Sequence, residues 1–129
     1  DNGEATKSIA IVDTSTTPGN SYTIATSNSG SGSYTLSGTD RLGTVNGANQ
    51  TVTINVNDTV TFVMNAPGHP FYIKAQNSTG TGNIVTNPLA TGQGASSSGN
   101  VVWTPSAVGT YHYNCQFHGA MHGLIVVQS

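Results

Sequence analysis

The residues able to do soft-metal chemistry crowd into one segment, Gly109 to Val127. Reading GTYHYNCQFHGAMHGLIVV, it holds the only cysteine, three of the four histidines and one of the two methionines. Cys115, His118 and Met121 follow one another at Cys-x2-His-x2-Met spacing. A thiolate beside an imidazole favours zinc or copper, and a thioether close by tips the choice to copper, because soft sulfur suits that metal. A trigonal copper site needs a second imidazole. The only upstream histidine is His69, in Asn65-Ala66-Pro67-Gly68-His69-Pro70-Phe71, and it must arrive from a different strand.

Each of these residues also has a plainer reading. Cys115 alone reads equally well as an inert buried thiol, and Met121 as core filling. His118 alone is a loop histidine, made a candidate ligand by the cysteine three residues before it. His69 alone could pack beside Pro67 and Pro70. The thioether of Met121 either sits at the metal or leaves that position to water. His112 is expected to face solvent and His122 to point away from Met121. His118 and His122 form His-x3-His, a zinc spacing on a helix, but Gly119 and Gly123 argue for a loop, so no second metal site is expected there.

Strands must position these groups. Alternation of period two puts Tyr111, Tyr113 and Cys115 on one side and His112 and Asn114 on the other, so the thiol leaves the core side of a strand end. Leu124 to Val127 is the returning strand. Upstream, Thr51 to Val56 alternates with Val52, Ile54 and Val56 inward, Asn57-Asp58 turns the chain, and Val60, Phe62 and Met64 continue the inward set. His69, Phe71 and Ile73 share one parity, which places His69 at the core-facing start of a further strand, with Asn65 to Gly68 as the loop swinging it toward Cys115. Ser8 to Asp13, Tyr22 to Thr26, Ser33 to Ser37 and Val101 to Thr104 complete the expected strands. The second and third of these form a hairpin around residues 27–32. Residues 76–100 read as a long polar connection anchored by Ile84, Val85, Pro88 and Leu89, and residues 1–7 as a loose start.

Composition agrees with a β-rich frame. Thr, Ser, Asn and Gly dominate the polar positions and long helical periods are absent, which predicts an all-β Greek-key β-sandwich of seven to nine short strands. A chain of 129 residues is expected to be a single domain, spanning 1–129, large enough to bury about two thirds of its surface without staples. With one cysteine it forms no internal disulfide. Three Lys+Arg against five Asp+Glu leave no basic patch for nucleic acid or anionic lipid. No apolar run approaches the roughly 18 residues of a membrane span, and no signal peptide with a basic start is present, so a mature or trimmed form is expected. Sequons at Asn49, Asn57 and Asn77 are about as many as chance gives in so Ser- and Thr-rich a chain.

The assembled pattern carries a resemblance. Trp103-Thr104-Pro105, then Gly109-Thr110-Tyr111-x-Tyr113-x-Cys115-x2-His118-x2-Met121-x-Gly123-x-Ile125-x-Val127, with one histidine well upstream, resembles the small blue copper proteins, the cupredoxins. The ligand spacing is closest to that of amicyanins and the plan is similar to plastocyanins. The resemblance holds from about Gln50 to the C-terminus. It implies one copper per chain, cycling between Cu(II) and Cu(I) and held by His69, Cys115, His118 and Met121, in a monomeric one-electron carrier. It further implies transient docking of redox partner proteins near His118, at a rim of Phe117, Ala120, Pro67 and Pro70, and a place outside the cytoplasm. The alternative is a copper redox enzyme whose water-bound axial position takes a small molecule such as a nitrogen oxide.

In one respect the chain departs from that family. Where the residue after the upstream histidine is often Asn, donating its N–H to the thiolate, this chain has Pro70, which has no N–H. The N–H of Phe117 is the expected substitute.

Overall fold

A computed structural model describes residues 19–86 and 88–129. The expectations for residues 1–7 and for a strand over 8–13 lie outside the described residues. Nine strands are described: β1 (Ser21–Ser29), β2 (Ser33–Asp40), β3 (Gly43–Ala48), β4 (Val52–Asn55), β5 (Thr59–Met64), β6 (Phe71–Lys74), β7 (Asn100–Trp103), β8 (Gly109–Cys115) and β9 (His122–Gln128). They form two mixed sheets, one of four strands in the order β4-β9-β8-β6 and one of five in the order β3-β2-β1-β5-β7. This is the expected all-β sandwich.

Local sequence explains most of these elements. β1 and β2 form the expected hairpin, with Ser29 opposite Ser33 and Gly30 at a φ of 58° in the turn. At the turn between β4 and β5, Asn57 takes a φ of 72°. Asp58 fixes that turn, its Oδ1 accepting the Asn20 N–H at 2.8 Å and its Oδ2 the Asn55 N–H at 2.7 Å. β3 was not expected. Its six residues, GTVNGA, bury only Val45 and carry no alternation signal, and they become a strand by pairing with β2.

The core lies where the inward sets of the two sheets meet. Ile24, Leu36, Phe62, Phe71, Ile73, Tyr113 and Ile125 are all fully buried. Phe71 and Tyr113 stack with centroids 5.4 Å apart and planes at 12°. Each such ring removes roughly 150–250 Å² from water, worth about 4–6 kcal/mol before the entropy of ordering it is counted. Gly123 stands opposite Tyr113 across β8 and β9, and a Cβ there would run into the Tyr113 ring. The glycine inside that strand is therefore a packing requirement.

The long connection is ordered at both ends. Its first part bridges Lys74 to Ile84, and its later part bridges Thr91 to Val102. Val85 is buried as an anchor, but Leu89 is 60% exposed. The hold at that point comes instead from the Trp103 indole N–H, which donates to the Pro88 carbonyl at 2.8 Å.

Candidate metal centre

Cys115 ends β8 opposite Phe71, the first residue of β6. Alternation puts Tyr113 and Cys115 on the inner face, and both are fully buried. Beyond this end of the sheet two loops converge. In the first, Pro67 and Gly68 occupy the central positions of a turn in which Gly68 has a φ of 81° and the His69 N–H donates to the Ala66 carbonyl at 3.0 Å. Pro followed by a positive-φ Gly is the residue pattern of a type II turn. It brings His69 back over the core, two residues before β6 begins. In the second, the Met121 N–H donates to the His118 carbonyl at 3.2 Å and the Cys115 N–H to the Met121 carbonyl at 3.0 Å, so residues 115–121 close on themselves.

These loops bring three of the four expected ligands together. Sγ of Cys115 lies 3.7 Å from Nδ1 of His69 and 3.5 Å from Nδ1 of His118. The donor atoms of all three residues fall within 4.8 Å of one another. An ion about 2.3 Å from sulfur and about 2.0 Å from nitrogen, at tetrahedral to trigonal angles, sets a sulfur–nitrogen separation of about 3.5–3.7 Å. The two sulfur–nitrogen edges thus have the length a single shared ion requires. Met121, on the same loop, is fully buried.

Protonation favours ligation. Burial, and then the neighbouring His118 imidazole, hold the His69 pKa below the usual histidine value, which keeps a ring lone pair free. The thiol sulfur accepts the Phe117 N–H at 3.5 Å, the substitute expected from the sequence. Pro70 contributes only its carbonyl, which accepts the Gln116 N–H at 3.0 Å.

Sequence reasoning missed the residues that brace these loops. The Tyr34 hydroxyl donates to the His69 carbonyl at 2.7 Å. Burial first, and then nearby Cys115, push its pKa far above the ordinary phenol value, so it remains a donor. Asn49 donates from Nδ2 to the Ala120 carbonyl at 3.0 Å while its Oδ1 accepts the Tyr34 N–H at 3.0 Å. Asn114 is on the outward parity yet wholly buried, donating to the Met121 carbonyl at 3.3 Å and accepting the Ser78 N–H at 3.1 Å. Lys74 is likewise buried. Its ammonium donates to the carbonyls of Ser78, Thr79 and Gly80 at 3.0, 3.3 and 2.7 Å. The sequence carried no signal of this, since a lysine on the outward parity reads as solvent-facing.

Of the two remaining histidines, His122 points away from Met121 as expected, and His112 differs from expectation. His112 is half-buried, not solvent-facing, and bonds to His122 through Nδ1 and Nε2 at 2.8 Å. Burial lowers the pKa of both rings, with the His112 ring adding to the effect on His122.

No protein-family model and no curated protein sequence matches the chain. Solved structures do. The copper protein rusticyanin is 26% identical, covers 85% of this chain and 79% of its own, and superposes with a TM-score of 0.56. A rusticyanin variant with leucine in place of a methionine is 25% identical, with 87% and 79% covered and a TM-score of 0.55. Rusticyanin from Thiobacillus ferrooxidans, at 24% identity with 85% and 79% covered, superposes with a TM-score of 0.53. The chain has the fold of these cupredoxins, with a His-Cys-His cluster that fits a type 1 copper site. The two imidazoles are unequally placed, His69 being buried at 8% exposure and His118 half-buried nearer the surface. Phe117, 61% exposed, and the exposed Pro67 and Ala120 belong to the same two loops.

Proposed function

We propose that this chain is a mononuclear type 1 copper protein carrying single electrons, in which His69, Cys115, His118 and Met121 would hold the metal. The observation that carries the reading is the Cys115–His69–His118 triangle, assembled from two loops with sulfur–nitrogen distances of 3.7 and 3.5 Å. Copper bound there supplies one-electron exchange, since a thiolate and two imidazoles with a weak thioether suit Cu(II) and Cu(I) alike. The protein's part is to hold those donors still and exclude water. Tyr34 and Asn49 tie the two ligand loops to β2 and to each other, Asn114 ties one of them to the 78–80 turn, and the aromatic core beneath keeps the site dry. A neighbouring rusticyanin structure is described as reduced, which accords with a redox role in that protein.

The His118 edge would be the electron port, where the exposed Phe117, Ala120 and Pro67 offer a small apolar rim for brief docking of a redox partner. The reading places the protein outside the cytoplasm, acting as a monomer. No helix among the described residues is long and apolar enough to cross a membrane. The burial of Met121 on the ligand loop favours the carrier over an enzyme with an open copper position.

The test is the visible and electron paramagnetic resonance spectrum after one equivalent of Cu(II). An intense thiolate-to-copper band with narrow copper hyperfine splitting is expected, unchanged by azide or nitric oxide. A pale spectrum with ordinary splitting would remove the thiolate from the site, and a response to azide would turn the reading toward the enzyme.

A further inference from the structure

The outer face of the sheet that buries Cys115 carries a second pair of imidazoles, unused by the redox reading. On β8 and β9, Asn114 stands opposite His122 and His112 opposite Leu124. His112 and His122 are therefore diagonal neighbours on one face, a separation that imidazole side chains can bridge. Nδ1 of His112 and Nε2 of His122 are 2.8 Å apart. The ring centroids are 5.0 Å apart and the planes lie 20° from parallel. In such an N–H···N contact one nitrogen presents a proton and the other a lone pair. Both rings are half-buried and open on one side to water.

We propose that His112 and His122 form a second metal site, a two-imidazole chelate for a borderline divalent cation with water in its remaining positions. Metal–imidazole bonds of about 2.0–2.1 Å spanning the observed nitrogen–nitrogen gap subtend about 85–90° at the ion, whereas a tetrahedral angle needs the nitrogens about 3.3 Å apart. The angle is that of adjacent corners in a tetragonal or octahedral shell, which selects Cu(II) or Ni(II) over Zn(II). Binding conserves protons. The ion takes the lone pairs of His112 Nδ1 and His122 Nε2, and the proton between them moves to the other nitrogen of the donating ring. Lys74, the cross-strand neighbour of His112 on β6, is not a ligand, because its ammonium has no lone pair and is drawn to the carbonyls of Ser78, Thr79 and Gly80. The site lies on the strands that frame the primary centre, three residues before Cys115 and one after Met121, on the opposite face of the sheet.

The experiment titrates Ni(II) by calorimetry into protein already holding one equivalent of copper, and adds a second equivalent of Cu(II) under electron paramagnetic resonance. One Ni(II) should bind per chain. The second copper should give a separate signal with wide hyperfine splitting, leaving the visible band untouched. His112→Ala should weaken Ni(II) binding at least tenfold while keeping the visible band, and His122→Gln should do the same if His112→Ala does not fold. Cys115→Ser should bind Ni(II) as the unaltered chain does, which separates failure of this site from failure of the blue copper reading. Absence of a Ni(II) equivalent, or equal binding by the unaltered chain and His112→Ala, would overturn the proposal.

Discussion

The two faces of β8 do different work with the same seven residues. On the inner face Tyr111 packs on Trp103, Tyr113 stacks on Phe71, and the Cys115 thiol is buried in the same apolar core. On the outer face His112 bonds to His122, Asn114 bonds to the Ser78 N–H and the Met121 carbonyl, and neighbouring Lys74 bonds to the carbonyls of the turn at 78–80. Period-two alternation thus separates the candidate metal donor from its bracing. Apolar packing places the sulfur, and polar bonds to backbone place the loops that carry its partners.

Removing the sulfur is the harshest test of that division. Cys115→Ser should abolish the intense visible band of the copper-loaded protein while the far-ultraviolet circular dichroism stays that of the β-sandwich. Ser fits the space of Cys, and the hydroxyl is a far poorer soft-metal ligand. A coloured Ser variant would mean that the inner face is not where the copper chemistry sits.

The opposite test removes the bracing and spares the ligands. Lys74→Met keeps the bulk of the side chain and leaves the Ser78, Thr79 and Gly80 carbonyls without their donor. These acceptors are only partly shielded from water, so losing their charged donor costs about 1–3 kcal/mol in all. Urea unfolding should move by that amount with the blue band retained. Unchanged stability would make the cage decorative, and a bleached band would show that the faces cannot be separated.

Tyr34 joins the two systems, since its ring packs on Phe71 at 5.2 Å and its hydroxyl holds the His69 carbonyl. Tyr34→Phe preserves the packing and deletes one buried hydrogen bond, a loss of about 0.5–1.5 kcal/mol. The same change should broaden the copper hyperfine lines by loosening the His69 loop. A variant identical to the parent in both stability and spectrum would deny Tyr34 any positioning role.

What was legible in the sequence divides along the same line. Strand alternation over 52–64 and 109–127, and the Cys115, His118 and Met121 spacing, are local signals, and they located the sandwich, the strand end and the ligand loop. His69 was reachable because no other histidine lies upstream. The bracing was not legible, because Asn49 reaches Ala120 across 71 positions and Tyr34 reaches His69 across 35. A side chain bonding to a distant carbonyl leaves no spacing to read, and asparagine is common in this chain. The His112–His122 pair was hidden for a related reason. Each histidine lay on an outward parity, and only the register of β8 against β9 makes them neighbours.

Pro70 offers the finest test, at the boundary between sulfur and loop. The sulfur accepts the Phe117 N–H at 3.5 Å, and position 70 has no N–H to add. A hydrogen bond to the thiolate draws charge from it, weakens its donation to the metal and favours the reduced state. Pro70→Asn restores an N–H beside the site, and one bond of about 0.5–1.5 kcal/mol corresponds to about 20–60 mV in a one-electron couple. Voltammetry should therefore find the potential raised by that order, with the visible band shifted but not lost. The substitution leaves the position 70 carbonyl in place for the Gln116 N–H, so the loop keeps its existing tie. An unchanged or lowered potential would mean that the new N–H does not reach Sγ, leaving the polarity around the thiolate to Phe117 alone.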